Sequence, residues 1–211
     1  MPHSPRLGNP FFDETSARFC ASLRDVKPLL FLLFVLVAAG TVRAGEMVAA
    51  AEVAGRLAPA KDGRVKATVL IFLAHDCPVS NALVPEMNRL ATHFGPLGAA
   101  FYFVYAERDL ADADAARHAR EFALAAPVAV DRAGTLAVRA GAKVTPEAAV
   151  FSRAGEVVYR GRINDLFAAL GQKRAEPTTH DLRDALDAVL AGKAPPAATT
   201  PAIGCYISTK P

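Results

Sequence analysis

The chain has 211 residues, 52% of them apolar, and a formal net charge of only +3. That is enough for one domain with a sizeable core and added segments at the ends. No basic run is interleaved with aromatic residues, which argues against nucleic acid as a partner.

Residues 29–39 form an apolar run bounded by Lys27-Pro28 and Gly40-Thr41. It is shorter than the roughly 20 residues a membrane span needs, and it suits the apolar region of a secretory signal. Val42-Arg43-Ala44 then supplies the −3 and −1 residues of a cleavage site, so residues 1–44 read as a signal cleaved after Ala44. The stretch ahead of the run is long for a signal and holds Asp13, Glu14 and Asp25. An uncleaved membrane anchor and a buried core segment therefore stay open as alternatives. The chain is expected to be exported, periplasmic or extracellular, and to touch a membrane only if the leader is kept.

Residues 45–66 are Ala-rich and weakly patterned, a lead-in or edge element. Residues 67–74 form a continuous apolar run with branched residues, as a strand buried on both faces requires. It ends at His75-Asp76-Cys77-Pro78. Leu83, Met87, Leu90 and Phe94 then repeat at helical spacing from Ser80 onward, with Pro85 expected to kink the helix and Gly95-Pro96 to stop it. Residues 99–106 read as a second buried strand. Residues 112–125 read as a helix capped near Asp112. A short strand follows at 128–131, then a short helix at 134–140 closed by Gly141. Val144-Thr145-Pro146 precedes a hairpin of strands 148–152 and 157–160. After a polar loop at 161–177, Thr178 opens a last helix with Leu182, Ala185, Leu186, Val189 and Leu190 inward. Residues 45–193 thus form the domain. Residues 194–211 form a Pro-, Ala- and Thr-rich tail, expected to be extended and mobile. Parallel strands need right-handed crossovers, so the order predicts an α/β fold: a central mixed β-sheet with helices on both faces.

Of three cysteines, Cys20 lies within the leader, which leaves Cys77 and Cys205. In an exported chain they form either a structural disulfide or a working redox pair. Cys77 follows a buried strand and opens a helix, where unpaired N–H groups and the helix dipole favour an anion. Its thiol pKa is expected to fall. Pro78 suits the first helical turn because it has no N–H to waste.

Cys77-Pro78-Val79-Ser80 resembles the active-site turn of thioredoxin-like proteins, with Ser80 in place of the second cysteine. Pro85 stands where helices of that family carry a proline, and Thr145-Pro146 resembles its cis-proline. The segment 126–131 is similar to the redoxin and exported thiol-disulfide branch, and the resemblance spans about residues 60–193. It implies a thioredoxin-like fold and thiol-disulfide chemistry. Cys77 would be the nucleophile, Ser80 would stabilise its thiolate, and Pro78, Thr145 and Pro146 would shape a groove for an incoming chain. Ala74 and Val69 stand where peroxidatic relatives carry their upstream Thr or Ser and Pro, so peroxide is not the expected substrate.

Ser80 cannot resolve a mixed disulfide. Cys205 is the candidate resolver, since a flexible segment from the last helix reaches on the order of 20 Å. A free or intermolecularly paired tail thiol is the alternative. His75 is read either as a base or a stabilising cation beside the thiol or as a solvated loop residue, and His180 as part of the last helix start. Expected partners are a thiol- or disulfide-bearing protein or a small thiol, with no cofactor and no metal. The competing reading is a redox-inactive thioredoxin-like module for binding or for soft-metal handling, in which His75, Cys77 and Cys205 act as ligands.

Overall fold

The computed structural model describes residues 43–58 and 63–208, all within one unit, Val42–Pro211. The apolar run at 29–39 and Cys20 lie outside the described residues. Among the described residues no helix is long and apolar enough to cross a membrane.

Strand β1 (Ala67–Leu73) is buried along its whole length. Its neighbours explain why. β2 (Ala99–Tyr105) pairs with it in parallel on one side, and β5 (Glu147–Ser152) antiparallel on the other. β3 (Val128–Val130) extends the sheet beyond β2, and β6 (Val157–Gly161) beyond β5. The five strands run in the order β3-β2-β1-β5-β6. A central strand has no solvent face, so its apolar run is unbroken, and alternate residues feed two cores. Val69, Ile71 and Leu73 face one core, shared with Leu83, Met87 and Leu90 of α2 (Pro78–Phe94), Ala115 and Ala119 of α3 (Asp112–Glu121), and Leu182 and Leu186 of α5 (Asp181–Leu190). Leu70 and Phe72 face the other, with Val53 of α1 (Ala50–Arg56) and Leu136 and Ala137 of α4 (Thr135–Ala140). The sheet is mixed and carries helices on both faces, as its strand order predicts.

Some boundaries differ from expectation, each for a local reason. Residues 45–66 hold a helix, α1, and Met47 bridges to Val128. Asp112 does not cap α3: the cap position is Ala111, and the Asp112 carboxylate accepts from Arg132 at 2.8 Å. That helix ends at Glu121, because Ala123 takes a positive φ of 47°. The last helix begins at Asp181, after His180 at the cap position, and not at Thr178. The amides of Thr178 and Thr179 are held outside it by the Asp165 carboxylate, at 2.6 and 2.9 Å. Within the polar loop, β7 (Phe167–Ala169) and β8 (Gln172–Lys173) make a small hairpin.

The tail is extended but it is docked. Arg160 N–H donates to Ala198 O at 2.9 Å, and Thr200 N–H donates to Arg160 O at 3.1 Å, along the outer edge of β6. Gly161 permits this approach, since a Cβ there would meet Thr200 Oγ1 at 2.2 Å. The tail then ends in β9 (Cys205–Tyr206), which pairs antiparallel with β4 (Val144–Thr145).

Candidate functional site

β1 ends at Leu73, and a tight turn carries the chain into α2, with Cys77 N–H donating to Ala74 O at 3.2 Å. Cys77 occupies the cap position of α2 and Pro78 its first turn, as the sequence predicts. Cys77 is only 1% exposed. Its Sγ lies 3.4 Å from the carbonyl oxygen of Thr145, toward which the neutral thiol donates. The Thr145-Pro146 peptide is cis. Ser80 is buried, and its Oγ accepts from Ala74 N–H at 3.4 Å, tying the start of α2 to the end of β1.

Cys205 Sγ lies 3.2 Å from Cys77 Sγ. The residues that bring it there come from the far end of the chain. β9 holds it against Thr145, whose hydroxyl donates to Cys205 O at 3.4 Å, and Ile207 N–H donates to Lys143 O at 2.9 Å. Gly204 makes the approach feasible, because a Cβ at that position would stand 1.9 Å from Thr145 O. The structure thus gathers Cys77, Pro78, Ser80, Thr145, Pro146 and Cys205 at one end of the sheet.

The two sulfurs are electrostatically unlike. Burial by itself raises the Cys77 thiol, but hydrogen bonds from the Ser80 hydroxyl and amide, the Cys205 thiol and the Val79 amide outweigh it, and the net shift is downward. Cys205 is pushed up to about 11, first by its hydrogen bond to Cys77, then by burial and by the charges of Cys77 and Asp76. Of the two, Cys77 is the thiol that ionises first, and Cys205 keeps its proton to higher pH.

Beneath the turn lies a polar network that the sequence reading did not single out. His75 Nδ1 is 2.7 Å from Glu107 Oε1, and His75 N–H donates to Glu107 Oε2 at 2.8 Å. Asn81 Nδ2 donates to His75 O at 3.1 Å, while Asn81 Oδ1 is 2.9 Å from His118 Nε2. His118 Nδ1 is 2.8 Å from the Tyr105 hydroxyl. Burial lowers the His118 pKa, with a smaller contribution from His75. With that ring neutral, Nε2–H donates to Asn81 and Nδ1 accepts from Tyr105. The network locks the turn ahead of Cys77 onto β2 and α3. Its members are far apart in sequence, and no spacing along the chain joins them.

His75 is therefore held by Glu107 and only partly exposed. Among the described residues the possible metal donors that cluster are His75, Asp76 and Glu107, within 4.8 Å of one another. That set leaves both sulfurs out and is not the thiolate set a soft metal selects.

No family model matches the chain, and no curated protein does. Solved structures do. An uncharacterised conserved protein from Geobacillus kaustophilus is 30% identical, with a TM-score of 0.61, over 69% of this chain and 78% of that one. A hypothetical protein from Sinorhizobium meliloti is 24% identical, with a TM-score of 0.60, over 70% and 81%. A secreted disulfide oxidoreductase of Mycobacterium tuberculosis is 20% identical, with a TM-score of 0.40, over 60% and 81%.

Proposed function

We propose that this chain, which belongs to one family with the Geobacillus kaustophilus protein, is a thioredoxin-like, exported thiol-disulfide oxidoreductase that works through the pair Cys77 and Cys205. The observation that carries the reading is the 3.2 Å separation of two sulfurs that lie 128 residues apart in the chain.

The Cys77 thiolate attacks one sulfur of a substrate disulfide, the other substrate sulfur leaves as a thiolate, and a mixed disulfide forms on Cys77. Cys205, once deprotonated, attacks the Cys77 sulfur and expels the remaining substrate thiolate, which leaves a Cys77–Cys205 disulfide. Two protein thiols are oxidised and one substrate disulfide is reduced to two thiols. Ser80 and the first amides of α2 stabilise Cys77 as attacking and as leaving group. Cys77 is covered while β9 is docked, so its attack needs that strand to lift. β9 is a two-residue ladder with an exposed outer face, and so belongs to the low-stability end of the fold. In this reading residues 1–44 are a cleaved leader, residues 45–193 carry the domain, and residues 194–211 are a functional part of the site.

The test is the reduction of a disulfide-bearing peptide by a stoichiometric amount of reduced protein, which should release both peptide thiols. Cys77→Ser is expected to abolish it. Cys205→Ser is expected to release only one of the two thiols, with the rest of the peptide trapped on Cys77. Reduction that survives in Cys77→Ser sinks the proposal.

A further inference from the structure

In a fold of this kind an incoming chain would pair with the free backbone edge next to Pro146. Here that edge is already taken. Val144 faces Tyr206 and Thr145 faces Cys205 in an antiparallel ladder. Beyond it the Ile207–Lys143 hydrogen bond continues the same pairing. The chain's own tail sits where an added strand would lie. The two sulfurs also differ in access. Cys77 is 1% exposed beneath the tail, whereas Cys205 is exposed and Tyr206 beside it is 89% exposed.

We infer that, in the oxidised protein, the outside thiol attacks Cys205 and not Cys77, and that the attacking group is a low-molecular-weight thiol that needs no added strand. This deepens the proposed function and rests on it for the Cys77–Cys205 disulfide. The step balances. A thiolate R–S⁻ forms a bond to Cys205 Sγ, the Cys205–Cys77 bond breaks, and its electron pair leaves on Cys77. A second R–S⁻ then attacks the R-bearing sulfur, releases R–S–S–R, and leaves Cys205 to take a proton from water. The protein disulfide is reduced and two small thiols are oxidised.

Two physical arguments agree on the direction. Access is the first: a nucleophile must reach the sulfur it attacks from behind the breaking bond, and Cys77 is walled in by Thr145, Ser80 and β9. Leaving-group quality is the second: exchange is faster when the departing thiol has the lower pKa, and Cys77 is that thiol. Gly204 then acts as a specificity-determining residue. Any side chain there collides with Thr145 O, lifts β9, and opens both Cys77 and the strand edge.

The experiment treats oxidised full-length protein with limiting glutathione, quenches in acid, alkylates free thiols and maps both cysteines by mass spectrometry. At least ten molecules are expected to carry glutathione on Cys205 with Cys77 alkylated for each one modified the other way. In Gly204→Val that ratio is expected to fall at least fivefold, while a thiol peptide able to add as a strand reduces the variant faster than the wild type. Glutathione found mainly on Cys77 of the wild type overturns the inference and leaves the proposed pair intact, as does a thiol peptide that outpaces glutathione on the wild type. A protein that cannot form the Cys77–Cys205 disulfide at all overturns the pairing itself, and this inference with it.

Discussion

At the scale of single residues, the two sulfurs are set apart by different neighbours. The thiolate of Cys77 is stabilised against the cost of burial by donors at the start of α2, and the raised value at Cys205 comes first from Cys77. For an acid whose folded pKa is depressed, the anion is populated at lower pH than in the unfolded chain. Once β9 has opened, alkylation of Cys77 should therefore reach half its maximal rate below the usual thiol range near 8.5. Cys205 should not be half-ionised until about pH 11. In Cys77→Ser the main cause of that rise is removed, so the alkylation midpoint of Cys205 should move down toward an ordinary thiol. A pH–rate series with iodoacetamide on both proteins reads this, and an unmoved Cys205 midpoint would show that the sulfurs do not interact. The linked stability follows the same sign. What the depressed Cys77 pKa contributes is present above the unfolded value and is lost as pH falls through the folded one.

At the scale of elements, the placement of β4 depends on a residue just outside it. Glu147 is 5% exposed, and its Oε2 accepts from the amides of Lys143 at 2.7 Å and Val144 at 3.3 Å. Its other oxygen lies 3.5 Å from Arg160 Nε. The carboxylate thereby fastens the backbone on both sides of Pro146 to the central sheet, between α4 and β5. Removing it leaves two amides without their acceptor and takes the counter-charge away from Arg160, and each buried unsatisfied donor costs about 1–3 kcal/mol. Glu147→Ala should lower unfolding stability by about 2–4 kcal/mol, read as a shift of the urea midpoint at unchanged slope. It should also weaken the hold of β4 on β9. A loss below about 0.5 kcal/mol would show that the loop is positioned by other contacts.

At the scale of the whole molecule, the tail brings the end of the chain back to the turn at Cys77. It leaves α5, lies along β6 through Ala198 and Thr200, and pairs with β4 at Cys205. A bond between sulfurs 128 residues apart would cross-link most of the domain and restrict its unfolded ensemble. The loop-length argument gives about 4–5 kcal/mol as a ceiling, and measured disulfides commonly deliver 2–4. The oxidised protein should therefore unfold at higher denaturant than the reduced one by about 2–4 kcal/mol. Cys205→Ser should remove the difference between oxidising and reducing conditions. Equal midpoints in wild-type protein under both conditions would count against the bridge.

Local pattern and chemistry by themselves determined the five main strands and the helix that opens at Cys77, and the resemblance to thioredoxin-like proteins put Ser80, Thr145 and Pro146 forward. Apolar periodicity is a property of neighbours in sequence, and a strand buried on both faces must be apolar throughout. They did not determine α1, the docking of the tail, or the network of His75, Glu107, Asn81, His118 and Tyr105. These depend on contacts between distant segments, where single backbone approaches decide the outcome. Gly161 against Thr200 and Gly204 against Thr145 are two such approaches. The reach of a flexible tail allowed Cys205 to visit Cys77, but reach is a statement about chain entropy. The pairing itself was decided only by the tertiary structure, because the hydrogen bonds that hold β9 on β4 exist only after the sheet has presented that edge.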